Sequence, residues 1–395
     1  MLKIQRNHID VWLLLVVLGL MVVSLGIVYS ASAEWSFKRF DTQSHYLDLH
    51  AIKILLSIGA LFVGLSIPYT IYKKFTKPVL VVAVLLLAVT FVLGGETKGA
   101  VRWLRFGGLG FQPSEFAKFA LLFHISLLMA VKGEHIKDFK RGFLPIIIWI
   151  GVVTGLVLAQ PNLSTGMMLF ALTIILLFAG HGRMIHLLGM IVVAVCLFAL
   201  YVLCMAYVLK RPYQLERIMH FVHGDPNGQH NYQLWQGIIG FGNGGLFGVG
   251  PGESRQRDFF LPESYNDFVY SIVGEEYGML GTLLVMGAFL FVMLRGFRIA
   301  KHAKDDFARL LAIAISSTIT LYALVNASVA LGLLPTTGLP MPFVSYGGSS
   351  LMFSAFSIGV LLNISAHTDL HPRAVKTEKA IVEMPGPETG LGKVY

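Results

Sequence analysis

Of 395 residues, 55% are hydrophobic and only 13% charged, with a mean hydropathy of +0.69. Soluble domains usually carry about 25% charged residues to solvate their surface, so this composition excludes a soluble enzyme and implies an integral membrane protein. The formal net charge of +9 fits basic loops on the cytoplasmic side of a membrane better than a nucleic-acid partner.

The first apolar run, 10–31, follows Lys3 and Arg6 and is too long for a cleaved leader, so it reads as a retained helix. Further runs lie at 51–69, 78–95, 116–131, 143–160, 165–180, 184–208, 266–294, 307–333 and 342–365. Each crossing needs about 20 residues. The predicted fold is an all-α integral membrane protein of about ten transmembrane helices, one polytopic domain over 1–366. Cys196 and Cys204 share one run about 12 Å apart along its axis, too far to bridge.

With the N-terminus inside, Lys73, Lys74, Lys77, Lys132, Lys137, Lys140, Arg141, Arg183, Arg295, Arg298, Lys301 and Lys304 all fall on the inner side. Both termini are then cytoplasmic, and 367–395, with Pro385 and Pro387, reads as a flexible tail. A large extracytoplasmic loop, 209–265, separates helices 7 and 8. It holds Arg211, Arg217, His220, Asp225, Arg255, Arg257 and Glu263. Its glycines, with Trp235, Phe259 and Phe260, predict re-entrant or interfacial pieces packed on the bundle.

The glycines of 237–252 follow no strand and are closed by no Lys-Ser/Thr pair, unlike a nucleotide loop. HGRMIH at 181–186 reads as a short turn. Three clusters carry more. In LPESYNDFVYSIVGEEYG, 261–278, Pro262 and Asn266 suit a helix start and Asp267 its first turn. Asp267 is then either a charge placed on the helix dipole or a general base where head groups meet lipid. Glu275 and Glu276 lie two turns deeper, about 12 Å or more away, in a structural or pathway role.

In GAVRWLRFGGLGFQPSEFAK, 99–118, Arg102, Trp103 and Arg105 form an interfacial anchor or a cradle for diphosphate. Gln112, Pro113, Ser114 and Glu115 open a helix, where Glu115 and Lys118 are spaced to pair. In LPTTGLPMPFVSYGGSS, 334–350, prolines and glycines mean irregular backbone, tolerated in a membrane only where it is buried or lines a cavity. Ser345, Tyr346, Ser349 and Ser350 then line that cavity, or serve close helix packing.

Taken in order, these clusters and the YSAS segment at 29–32 resemble the SEDS family of shape, elongation, division and sporulation proteins, which includes RodA and FtsW, over nearly the whole chain. The resemblance implies a peptidoglycan glycosyltransferase of the bacterial cytoplasmic (inner) membrane, polymerising lipid II, a disaccharide-pentapeptide on undecaprenyl diphosphate, at the outer face. It implies Asp267 as general base and substrate-binding roles for Arg102, Trp103, Gln112, Ser114, Glu115 and Lys118. Arg217, Arg255, Arg257, Glu263, Ser345 and Ser349 complete the expected substrate site.

Gln160-Pro161-Asn162 departs from the family's usual Gln-Pro-Asp; Asn162 cannot ionise and inherits no catalytic role. Asn266 stands where relatives often have Thr, and either caps a helix. The Leu-Leu-Pro-Thr-Thr-Gly-Leu-Pro run and YSAS favour the division branch over the elongation branch. The implied partners are a class B penicillin-binding protein, other division or elongation proteins and membrane lipids, with no nucleic acid. No cofactor is demanded, although Mg2+ or Mn2+ could share the diphosphate charge. Two rival classes are a lipid II flippase or transporter, suggested by Glu275 and Glu276, and a non-catalytic scaffold.

Overall fold

A computed structural model describes residues 8–370 except 98, 99, 107, 108, 209, 211, 212, 224–228, 260, 262, 263 and 369. Most of the expected tail, with Arg211 and Glu263, therefore lies outside the described residues. In chain order the elements are α1 (Val11–Phe40), α2 (His45–Ser66), α3 (Tyr69–Leu93), β1 (Gly95–Thr97), β2 (Ala100–Phe106), β3 (Leu109–Phe111) and α4 (Pro113–Lys132). They continue with α5 (Leu144–Ala159), α6 (Leu163–Ala179), α7 (Met184–Leu203), α8 (Tyr213–His223), α9 (Gln229–Gly244), α10 (Arg255–Phe259), α11 (Val269–Lys301), α12 (Asp306–Ala330) and α13 (Ser349–Ser365).

Among the described residues α1, α2, α3, α4, α5, α7, α11 and α12 are long and apolar enough to cross a membrane, while α6 and α13 are shorter apolar helices. Each apolar run of the sequence falls on one of these ten helices, with shifted ends. The helix at the last run begins at Ser349, because 332–348 is irregular. The sequence reading contained no strands, yet β1, β2 and β3 form a small antiparallel meander between α3 and α4. Two starts are capped by an aspartate side chain. Asp10 accepts from the Leu13 N–H at 3.1 Å to open α1, and Asp305 accepts from Ala308 N–H at 3.0 Å to open α12.

α4 and α12 are largely buried and form the centre of the bundle, whereas α7 is mostly exposed. At one end, Arg295 of α11 bonds Asp10 at 2.7 Å, and Asp10 N–H donates to Ser365 of α13 at 3.0 Å. Asn363 accepts from Tyr69 N–H at 2.9 Å and donates to Leu65 O at 2.7 Å, tying α13 to the α2–α3 turn. The Tyr69 hydroxyl and the Lys73 ammonium meet Asp305 at 2.8 and 3.1 Å. Burial pushes the Asp305 carboxyl up, but the Ala308 N–H, Tyr69 and Lys73 outweigh it and hold the group below the usual range.

α2 and α13 touch backbone to backbone. A methyl group on Gly359 would collide with the Leu61 carbonyl, and one on Gly64 with the Phe356 carbonyl. Small residues permit this approach, which dispersion and packing then stabilise. Gly59, on the same α2, faces open space. Gly359→Ala is therefore expected to lower the melting temperature in detergent, by an overpacking cost of about 1–3 kcal/mol. Gly59→Ala should leave it unchanged or slightly raised, since Ala is the better helix former. Equal melting of the two variants would contradict the close approach.

Candidate functional site

The site assembles at the opposite end of the bundle from Asp10 and Asp305, around the last turn of α12. Asn326 is buried there, and its amide donates to Asp267 O at 2.9 Å and to Leu339 O at 2.8 Å. One side chain thereby joins the turn before α11 to the Pro/Gly segment after α12. Tyr346 N–H donates to Tyr265 O at 2.9 Å, adding a second tie. Ser345 is buried and accepts from Met341 N–H at 2.8 Å, closing the segment on itself. Ser349, at the start of α13, accepts from Gln112 N–H and donates to Gly110 O, both at 3.1 Å. The three sequence clusters are brought together by these bonds.

Asp267 differs from its expected place in one respect. α11 begins at Val269 with Phe268 as its cap, so Asp267 sits in the preceding turn and not in the first turn of the helix. It is half-buried, and its carboxylate lies 3.6 Å from where a side chain on Gly338 would begin. Gly338 has φ +71°, which suits a residue without a Cβ, and its lack of a side chain lets the loop approach the carboxylate. Asp267 thus faces irregular backbone with its carbonyl fixed and its carboxylate near the helix's positive end.

One turn before Asn326, α12 presents Tyr322. Lys118 Nζ lies 3.9 Å from the centre of its ring and 2.8 Å from Glu115, and all three side chains are buried. The expected Glu115–Lys118 pair therefore forms, deep in the bundle. Removing one member of such a pair leaves an uncompensated charge, at about 3–5 kcal/mol. Ser114 Oγ and the Tyr322 hydroxyl are buried without hydrogen-bond partners among the described residues.

Arg102 and Arg257 each meet protein groups. Arg102 donates to Gln160 O at 3.2 Å and to Pro161 O, so its guanidinium closes the end of α5. Trp103 is half-buried and lies against Gly110, the hairpin folding over its indole. Arg257 is buried and donates to Ser30 O at 3.0 Å, Ser30 Oγ at 2.9 Å and Gly252 O at 3.0 Å, with Glu276 at 3.6 Å. Arg255 is exposed, and Arg217 is half-buried on α8.

Glu275 and Glu276 hold the large loop against the bundle. Glu275 accepts from Ser254 at 2.5 Å, Gln256 N–H at 3.3 Å and Asn243 at 3.4 Å. Glu276 accepts from Ser30 of the YSAS segment. Beyond them α11 is broken at Gly278, whose φ +65° and ψ −163° are open only to glycine. The loop after α9 fills the break. Val249 N–H donates to Glu275 O at 2.9 Å and Gly250 N–H to Glu276 O at 3.1 Å, while Met279 and Leu280 N–H donate to Gly245 O and Leu246 O at 2.9 and 3.2 Å. Such irregular backbone is tolerated at membrane depth only when its polar groups are satisfied inside the protein. Among the described residues no three His, Cys, Asp or Glu side chains gather as a metal site.

The family model for the cell cycle proteins FtsW, RodA and SpoVE matches residues 7–370. The chain belongs to this family. It is 39% identical over 388 residues to a protein named probable peptidoglycan glycosyltransferase FtsW from Trichlorobacter lovleyi, covering 96% of this chain and 100% of that one. It is 33% identical to stage V sporulation protein E of Bacillus subtilis, covering 92% and 99%. Among solved structures, a chain from work on polymerization and crosslinking by a peptidoglycan synthase complex superposes with a TM-score of 0.72 at 28% identity, covering 92% and 99%. The rod shape determining protein RodA of Thermus thermophilus shares the fold with a TM-score of 0.67 at 24% identity, covering 90% and 96%.

Within this FtsW/RodA/SpoVE chain, sequence reasoning passed over Asn326, Tyr322 and Gly278. A lone Asn near the end of an apolar run was the available signal for the first, since uncharged amides in a membrane still need partners. The Gly278 break supports a specific expectation. Gly278→Ala would place a methyl group against Gly248 N and Leu246 O in a conformation closed to alanine, and should sharply reduce the yield of monodisperse, thermally stable protein. Gly242→Ala on α9 meets open space and should behave as wild type. Comparable stability of the two variants would contradict the broken helix.

Proposed function

We propose that this chain is a peptidoglycan glycosyltransferase that polymerises lipid II at the outer face of the bacterial cytoplasmic membrane, acting in cell division. The observation that carries the reading is the convergence of three separate segments on the Asp267 turn, in a family whose FtsW-named members are called peptidoglycan glycosyltransferases. The basic loops cluster at the opposite end, which supports placing that end in the cytoplasm and Asp267 outside.

In this reading Asp267 takes the proton from the 4-hydroxyl of the acceptor's N-acetylglucosamine. The freed oxygen attacks the anomeric carbon of the lipid-linked donor, forming the new glycosidic bond as the bond to diphosphate breaks. Undecaprenyl diphosphate leaves with that electron pair, and attack from the opposite face inverts the α link to β. Fixing the base in space matters because a displacement of about 1 Å at the reacting groups can cost 10²-fold. Asn326 is positioned to do that through the Asp267 carbonyl. The Glu115–Lys118 pair and Ser114 supply a polar interior beside the site.

The flippase reading drew on Glu275 and Glu276 as stations of a polar route. Glu275 accepts from Ser254 of the loop and Glu276 from Ser30 of α1, which supports reading both as structural anchors. A class B penicillin-binding protein is the partner this reading requires for crosslinking, supported by the similarity to a chain from a peptidoglycan synthase complex.

The test is glycan polymerisation from purified lipid II by the protein with its partner. Asp267→Asn is expected to lower the rate by about 10²–10⁴-fold, the range for loss of a general base, with folding and partner binding intact. Full activity in that variant would refute Asp267 as base. Wild-type protein that moves lipid II across a bilayer without making polymer would support the flippase instead.

A further inference from the structure

Lys53 is a cation whose role the mechanism above does not use. It lies on α2, eight residues beyond His45 and so about 12 Å along the helix axis. Leu49, Ile52 and Leu56 beside it are exposed apolar side chains facing outward, while His50, Ile54 and Ser57 are buried against the bundle. Lys53 stands on the seam between these two surfaces, half-buried. Its ammonium lies 3.3 Å from the centre of the Tyr346 ring, and it makes no ion pair with a carboxylate among the described residues.

A charged side chain at membrane depth is costly and is ordinarily paired or functional. Contact with an aromatic face offsets part of the cost. Burial, and then neighbouring Tyr46, push the Tyr346 hydroxyl up to about 12, so the ring is neutral and offers the ammonium its face and not a phenolate. Tyr346 is also tied to the site, through its N–H to Tyr265 O at 2.9 Å and ring contacts to Tyr46 and Tyr265 at 5.6 and 5.4 Å. Tyr265 is two residues from Asp267. Arg102 and Arg257, by contrast, are occupied by carbonyls, Ser30 and Glu276.

We propose that Lys53 binds the diphosphate of a polyprenyl-linked substrate or product that reaches the Asp267 loop sideways from the bilayer, with Tyr346 holding the ammonium in place. The apolar surface at Leu49, Ile52 and Leu56 takes the start of the lipid chain, and the cation marks where the chain ends and the charge begins. The identity of this ligand rests on the glycosyltransferase reading; the anion site itself rests on the geometry. A bulk anionic phospholipid shares the phosphate chemistry and must be told apart.

The test measures binding of undecaprenyl diphosphate to the full chain in phosphatidylcholine nanodiscs, without turnover. Lys53→Met is expected to raise the Kd by at least about tenfold, Lys53→Arg by no more than about threefold, and Tyr346→Leu by an intermediate factor. Undecaprenol, which lacks phosphate, should bind wild type and Lys53→Met alike, and phosphatidylglycerol should not displace the diphosphate. Lys53→Gln replaces Lys53→Met should the latter fail to fold. An unchanged Kd in the folded variant, even with a lowered melting temperature, would overturn the proposal and leave Lys53 a structural pin. Equal displacement by phosphatidylglycerol would overturn it in favour of a general headgroup site. Wild type that binds the diphosphate but makes no polymer refutes the enzyme reading and leaves the anion site standing; wild type that does not bind it overturns the site.

Discussion

Asn326 spends both N–H groups of one amide on two carbonyls that belong to different loops. Neither loop has regular structure to hold it, and both lie at the end of a largely apolar bundle. In that setting an unbonded peptide carbonyl costs about as much as a lost hydrogen bond or more, so the amide and its two acceptors specify each other. The rest of the site follows from this junction. α12 is rigid and buried, Asn326 is near its end, and the turn carrying Asp267 is referred to that helix instead of to its own flexible connection.

The same constraint explains the broken helix and the buried charges. α11 gives up its own bonding at Gly278 because the Gly-rich loop after α9 supplies replacement donors and acceptors. Glu275 and Glu276 sit just before the break, where Ser254 and Gln256 donate to the first and Ser30 to the second, with Arg257 at 3.6 Å. α1, α9, α10 and α11 are thereby tied into one support beneath the Asp267 turn. Lys118 and Glu115 perform the corresponding task on α4. These polar groups are costly to bury alone and less so where they bond one another.

Much of this was legible in the chain. Apolar runs located the long helices because a crossing demands length and composition alone, and the order of three motifs gave the family. Asp267, Glu115, Lys118, Ser345 and Ser349 were named from residue chemistry, and the structure places them in or beside the assembled site. The arginines were harder. Arg102 and Arg257 look like phosphate ligands in sequence, but a guanidinium serves carbonyls and carboxylates equally well, and only the fold shows which it meets. The β1–β3 meander was missed because β1 and β3 are only three residues long and β2, AVRWLRF, does not alternate strictly. Asn326 was missed because one amide in an apolar helix carries no periodic signal. Lys53 was invisible for a different reason: its meaning comes from Tyr346, nearly three hundred residues away.

An uncharged side chain on α12, Asn326, holds the turn of Asp267, the proposed base. The most direct measurement of that hold is the polymerisation rate of Asn326→Leu, which keeps the side-chain size and removes both donors. With folding and lipid II binding retained, the rate should fall by about 10²-fold, the scale of a small misplacement of reacting groups. A rate close to wild type would show that the Asp267 turn holds its position without Asn326, and would contradict the account.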